Sequence, residues 1–389
     1  MLRLNRRNFI KNTSLITLSS CFSQSLIMKA LANNPLKVYS VNVAKVTNNW
    51  NQMSEKADVP IDFYLKKGSS KEFLQLFSKV GGGQKLYDAI TDNGGSQEDL
   101  LFETESIVTL DTSRIKNWKN LIPQYKEGNF AADTIRNKNG KIVAVPYISN
   151  ADSLAYNKAK IGADIDSWEA LFDSQFKGYA SLQNEPGPTL STTALYLKET
   201  GKQDIINPSD LSKSELKGVC EFLIDKKKKG QFKTFWKNFG NGVDLLVSEQ
   251  VLVSSCWEPI AVIASKKGAD IHYGTMKEGH QTWNNVWMLT KGGKERGQED
   301  NFYKLMDLYL SPWFGARTLS MLGFTPQMIG VHDYIKTNPN EFDKNKEEIL
   351  AQRLKNKAKR FAVKGNSWQN LYPQEFVSYQ NWWKKIQAA

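Results

Sequence analysis

The sequence predicts an α/β protein of two lobes, and three observations carry that reading. Short β-prone runs alternate with amphipathic helical stretches from residue 36 onward, the pattern of a parallel sheet with crossover helices. Two strand-like runs, 142–147 and 153–157, follow one another with no helix between them, as strands passing from one lobe to another would. The chain has 389 residues, 40% hydrophobic and 24% charged, an ordinary globular composition at a length that suits two domains.

The first 32 residues are read separately, because they have the order of an export signal. Arg6 and Arg7 precede Phe9, Ile10 and Lys11, which resembles a twin-arginine motif. A weakly apolar stretch over 15–28 is interrupted by Ser19, Ser20, Ser23 and Gln24. It is too short and too polar for a spanning helix, which needs about 20 apolar residues. Ala30-Leu31-Ala32 then forms a small-x-small cleavage site before Asn33. Leu18-Ser19-Ser20-Cys21 is a loose lipobox, so lipidation of Cys21 is a rival end for the leader.

The formal net charge is +12. Cleavage removes Arg3, Arg6, Arg7, Lys11 and Lys29 and no acid, so the mature chain is less basic. The remaining cations cluster in Lys226-Lys227-Lys228-Lys229 and over 344–360. These read as solvated helix faces, and no nucleic-acid recognition motif accompanies them. Only Cys220 and Cys256 survive cleavage, and two buried thiols fit better than a disulfide. His272, His280 and His332 are scattered without flanking cysteines, so no metal site or cofactor is expected. Gly81-Gly82-Gly83 lacks the Gly-Lys-Ser/Thr that a phosphate loop requires.

Along the mature chain, strands are expected at 36–41, 61–65 and 87–91, with helices at 49–56, 70–80 and from 97 towards 105. Phe73, Leu74, Phe77 and Val80 share one helical face. Asp92-Asn93-Gly94-Gly95 reads as a turn. Ligands of parallel sheets sit at the carboxyl ends of strands, so the loops at Asn42 and at Asn93-Gly94 point to one crevice. Further on, a short helix at 168–172, strands at 178–182, 251–255 and 271–274, and helices at 190–199, 211–229, 260–267 and 302–310 follow. A segment over 283–290 leads back across the hinge, and the tail is helical and polar.

In order, these blocks resemble the extracellular solute-binding proteins of ABC importers, nearest the spermidine/putrescine-binding type. The blocks are Pro146-Tyr147, Ala155-Tyr156-Asn157, Ser167-Trp168-Glu169-Ala170-Leu171-Phe172, Phe176-Lys177-Gly178, Lys277-Glu278-Gly279 before Trp283, and Gly323-Phe324-Thr325-Pro326. The resemblance implies a type II periplasmic-binding-protein clamp, each lobe a mixed sheet flanked by helices. Lobe 1 would hold 33–146 and 282–328, and lobe 2 would hold 147–281 and 329–389. It also implies a periplasmic, monomeric, non-enzymatic protein that delivers its solute to an ABC permease.

The resemblance assigns Trp257 and Trp283 as aromatic walls and Glu185 as a pocket acid. Rings and carboxylates together suit a flexible cation. Glu258, Asn285, Asn42, Asn93, Gly94 and Tyr147 complete the expected ligand contacts. The chain departs from the polyamine pattern at Asn285, where an aspartate grips an amine, at Pro188, and at Asn42 and Asn93-Gly94, where aromatics are expected. Fewer carboxylates and more amide donors favour a smaller neutral, zwitterionic or anionic solute beside the polyamine reading. An iron-binding clamp would use adjacent tyrosines, and the chain has no Tyr-Tyr pair. An exported cofactor enzyme and a lipid-anchored surface protein are the alternatives.

Overall fold

The computed structural model describes residues 34–67, 70–78, 80–95, 97–125, 130–342, 346–370 and 372–389. The leader over 1–32, with Cys21, lies outside the described residues. No helix among the described residues is long and apolar enough to cross a membrane.

Strand β1 (Leu36–Ser40) pairs in parallel with β2 (Ile61–Leu65) and β3 (Ala89–Asn93). Helices α1 (Trp50–Ala57) and α2 (Ser70–Phe77) make the crossovers. Beyond β3 the order runs through β9 (Gln281–Leu289), β4 (Val145–Asn157), β7 (Val253–Cys256), β5 (Ala180–Gln183) and β6 (Phe232–Trp236). β9 is antiparallel to both β3 and β4. The pair β5 and β7 is again parallel.

The crossing differs from the expected two strands. β4 is one strand of 13 residues, all buried. Its first half pairs with β9 and with the short β10 (Thr325–Pro326). Its second half pairs with β7 and β8 (Ile271–Tyr273). The polar residues Ser149, Asn150 and Asp152 looked like a break. Ladder bonds to β9 satisfy their backbone and keep the strand continuous. The register shifts between Pro146 and Ile148, where proline has no N–H to give the ladder.

The end of β3 differs too. Asp92 and Asn93 were read as a turn, but they pair with Val286 and Asn285 of β9. The neighbouring strand overrides their turn preference. β6 had no counterpart in the sequence reading, because Lys233 and Thr234 dilute its apolar pattern.

One apolar core covers β1, β3, β9 and the helices α8 (Glu299–Tyr309) and α9 (Pro312–Leu322). Its centre is a ring cluster of Tyr147, Trp287, Tyr309 and Phe314, with centroids 4.6–6.2 Å apart. A second core holds Trp168, Leu171 and Phe172 with helices α4 (Pro186–Glu199) and α5 (Lys213–Lys228). A third, around Trp236, Leu246 and Ile260, packs helices α6 (Phe239–Val247) and α7 (Glu258–Lys266) on the same end of the sheet. Fully burying each such ring contributes roughly 1.5–3 kcal/mol.

The tail is divided between these cores. Val331, Ile335, Phe342 and Leu350 join the first, although the sequence grouped them with the other lobe. Tyr379, Trp383 and Ile386 of α12 (Phe376–Ala388) join the second. Between them runs α11 (Lys346–Phe361), which reaches α7 through ion pairs.

Local chemistry explains several helix ends. Ser212 and Glu215 form a reciprocal capping box at the start of α5. At its other end Lys226 donates to Phe172 O, Lys227 to Ile386 O and Gln387 O, and Lys229 pairs with Asp225. The lysine run therefore serves a helix C-terminus and its neighbours, where cations are favoured. Cys220 and Cys256 are buried free thiols.

Candidate ligand-binding site

The carboxyl end of β3 meets the crossing strand β9. Asn93 stands opposite Asn285 in the ladder, so their side chains share one face. Asn285 Nδ2 donates to Asn93 Oδ1 at 2.6 Å, and Asn93 Nδ2 donates to Gln369 Oε1 at 3.2 Å. Tyr147 Oη donates to Asn285 Oδ1 at 3.3 Å. Burial pushes the Tyr147 phenol far above its ordinary value, so it stays a neutral donor. Gly94 follows at a crowded point. A Cβ there would lie 2.4 Å from Asn284 Oδ1 and 2.7 Å from Thr134 O. Its N–H, expected to face ligand, donates to Asn284 O at 3.0 Å.

The same face continues down the crossing strands. Trp283 stands opposite Asn150, and Asp152 opposite Gln281. The Trp283 ring meets Phe324 edge-on, with centroids 5.4 Å apart. Phe324 enters β10, which pairs on the far side of β4. Asn150 Nδ2 donates to Asp152 Oδ1 at 3.2 Å. Burial raises the Asp152 carboxyl to about 7.

Trp257 caps α7 and stays half-buried, with its ring 5.0 Å from Trp236 in a T-shaped pair. Glu258, the next residue and an expected ligand contact, is held elsewhere. Its Oε2 receives Lys357 Nζ at 2.6 Å and Arg360 Nη2 at 2.7 Å, both from α11. Burial alone would raise this carboxyl, but Lys357 and then Arg360 reverse the effect and hold it below the usual range. Removing either sign would leave buried charge unpaired, which is costly. Glu258 is thus an internal counter-ion.

A further charged group lies beside the strand ends. Lys66, just past β2, pairs with Asp92 Oδ1 at 2.5 Å and stands 4.5 Å from the Phe73 ring centre. Asp92 Oδ2 is buried without a hydrogen-bond partner. Glu185, at the exit of β5, accepts from Gln183 Nε2 at 2.8 Å. More than a third of Glu185 is open, yet protein crowds it closely enough to raise its pKa through desolvation. Lys66 lowers that pKa and Asp92 raises it, so the three charges lie within reach of one another.

The family follows from the sequence over most of this framework. Residues 80–346 match the pattern of a bacterial extracellular solute-binding protein. The chain belongs to that family. Solved structures agree on the fold of this solute-binding protein. The spermidine/putrescine substrate-binding protein PotD of Streptococcus pneumoniae, solved with calcium and HEPES, aligns with a TM-score of 0.68 at 13% identity. That alignment covers 91% of this chain and 99% of the other. The TpPotD lipoprotein of Treponema pallidum aligns equally well, at 0.68 and 13% identity over 91% and 99%. MotA of A. tumefaciens B6, solved with glucopine, aligns at 0.64 and 14% identity over 91% and 100%. No curated protein sequence matches. The fold is that of the type II periplasmic-binding proteins.

Within this solute-binding protein, Asn93, Asn285 and Tyr147 of the expected contacts form one hydrogen-bonded network. Trp283 shares its face, and the charges of Lys66 and Asp92 act on Glu185. Asn42 begins a 3-10 turn with its side chain exposed, outside that network. Gln369, Asp152, Lys66 and Asp92 escaped the sequence reading. A signal did exist for Asp152: Asn150 and Asp152 are polar at period two, so they share one face of the strand. Gln369 lies 276 residues from Asn93, and no local pattern links them.

Proposed function

We propose that this protein is the solute-binding component of an ABC importer that captures a small amine-bearing solute, polyamines being the leading class. The observation that carries this reading is the amide network at the end of β3 against β9, with Trp283 on its face and Asp92 next to it in β3. In this reading Trp283 and Phe324, which are buried in the first core in this state, are the ring walls that solute meets, with the half-buried Trp257 as a further wall. Asp92 and Glu185 supply negative charge beside the Asn93–Asn285–Gln369 network. Rings attract ammonium groups electrostatically, and carboxylates bind them through charge-assisted hydrogen bonds.

In this reading β4 and β9 are the hinge. Residues 34–146 and 282–350 form one lobe, and 147–281 with 372–389 form the other. Solute touching both lobes favours closure, which a permease then recognises. The protein acts by binding, as a monomer, in the periplasm, after export by the twin-arginine leader at 1–32.

Thermal unfolding with putrescine, spermidine, γ-aminobutyrate and a dicarboxylate tests the proposal. At a hundredfold excess over Kd a true ligand stabilises by about 2.7 kcal/mol. A shift with at least one amine and none with the dicarboxylate is expected. No shift with any amine rejects the reading.

A further inference from the structure

We propose that Asp152, assisted by Asn150, is the group that receives the solute's ammonium at the inner end of the Trp283 face. The inference rests on the amine reading above and names a binding group outside the residues that the family resemblance assigns.

Placement comes first. In a two-stranded ladder, paired and alternate residues share a face. Asn285 and Trp283 of β9 therefore lie on the same side as Asn150 and Asp152 of β4. Asn285 belongs to the amide network at the strand ends. Asp152 is a carboxylate on that face, opposite Gln281, while Asn285 stands opposite Ile148 further along the same ladder.

Unmet bonding comes second. Buried polar groups are normally paired. Here the acceptor Asn150 Oδ1 is buried with no hydrogen-bond partner. Trp283 Nε1 faces the Asp152 carboxyl as a donor and lowers its pKa, less than desolvation raises it. Asp152 Oδ1 accepts from Asn150 Nδ2, and no ion pair reaches the carboxyl among the described residues. An ammonium has three donors to distribute. Two acceptors, Asn150 Oδ1 and the Asp152 carboxylate, stand two residues apart on one strand to receive them.

The surrounding charges do not replace a ligand. Arg360, on α11, places its Nη2 on Glu258 of α7, and its guanidinium stands 5.0 Å from the Tyr273 ring centre. At Asp152 the repulsion from Glu258 outweighs the attraction of Arg360. His280, just before β9, accepts from Met276 N at Nε2 and so donates from Nδ1 to the Asp152 carbonyl. Burial lowers His280 to about 3, which keeps it neutral. Cys256 of β7 and Tyr273 of β8 are pushed well above their ordinary values and are neutral too. Desolvation leaves the Asp152 carboxyl near 7, so an arriving ammonium expels a proton from part of the population. Capture then weakens as pH falls below about 7.

Isothermal titration of the full chain and of Asp152→Asn with putrescine and γ-aminobutyrate, at pH 6 and pH 8, tests this. Removing one partner of a buried charge pair weakens binding at least about thirtyfold. The wild type binds about tenfold more weakly at pH 6 than at pH 8, while Asp152→Asn shows no such slope. Ligand-free Asp152→Asn melts no lower than wild type at pH 8. The inference alone falls if the wild type binds an amine and the variant binds it within about threefold, with the same pH slope. It also falls if the ligand-free variant melts lower, which would mark a structural role. If the wild type binds no amine, the inference falls together with the amine reading.

Discussion

Asn285 donates its side-chain N–H to Asn93 Oδ1 at 2.6 Å, which ties the last residue of β3 to the neighbouring strand β9. The geometry requires a donor at position 285. Asn285→Asp places a carboxylate against the Asn93 carbonyl oxygen and leaves both acceptors without a shared proton. The expected loss is about 1–3 kcal/mol in urea denaturation. The same change adds a negative charge on the Trp283 face, so putrescine should bind more tightly relative to γ-aminobutyrate. An unchanged putrescine preference would place Asn285 outside the solute's reach.

Glu258 accepts from both Lys357 and Arg360, and all three residues are buried. Glu258→Gln strands two cations in the interior, at a cost of about 3–5 kcal/mol. The carboxyl pKa is lowered in the folded state by the two cations. Its stabilisation is therefore present above the unfolded value near 4.5 and is lost as pH falls through the folded one. Denaturation midpoints of wild type and variant should accordingly converge on acidification below about pH 4. A constant gap would show that packing, rather than charge, sets the cost.

The division between legible and illegible features follows sequence distance. The β1–β3 alternation was readable because period-two and period-3.6 patterns are local. Trp257 was placed at a strand exit for the same reason. Glu258 was misread because its partners lie 99 and 102 residues away on α11. The end of β3 was misread because Asp92 and Asn93 prefer turns, and only β9, nearly 200 residues on, makes them strand residues. β4 looks broken because polar residues interrupt its apolar run, yet two of them, Asn150 and Asp152, share the Trp283 face. Positions that break the local pattern are where local reading fails.

Trp257 keeps part of its ring open at the head of α7, while Trp236 supports it at 5.0 Å. Trp257→Ala removes ring surface without opening the fully buried core. Amine affinity should drop about tenfold or more, since a desolvated cation–π contact contributes roughly 2 kcal/mol. Ligand-free stability should change by less than about 1.5 kcal/mol. Equal losses in stability and affinity would mean that Trp257 is a packing residue.

The ligand-free stability of Asp152→Asn carries a separate prediction about charge. The folded carboxyl is raised from 3.8 to about 7, chiefly by desolvation. A raised acid contributes stability that is complete below the unfolded pKa and is lost as pH rises through the folded one. The wild type should therefore lose stability relative to Asp152→Asn between about pH 4 and pH 7, by roughly 4 kcal/mol at most. Using the difference between the two proteins cancels groups that titrate alike in both. Urea denaturation at pH 5 and pH 8 measures it. Saturating amine should close the gap at pH 8, because a bound ammonium supplies the missing counter-charge in the wild type alone. A gap that is flat with pH would show Asp152 already paired within the protein, most directly with Arg360.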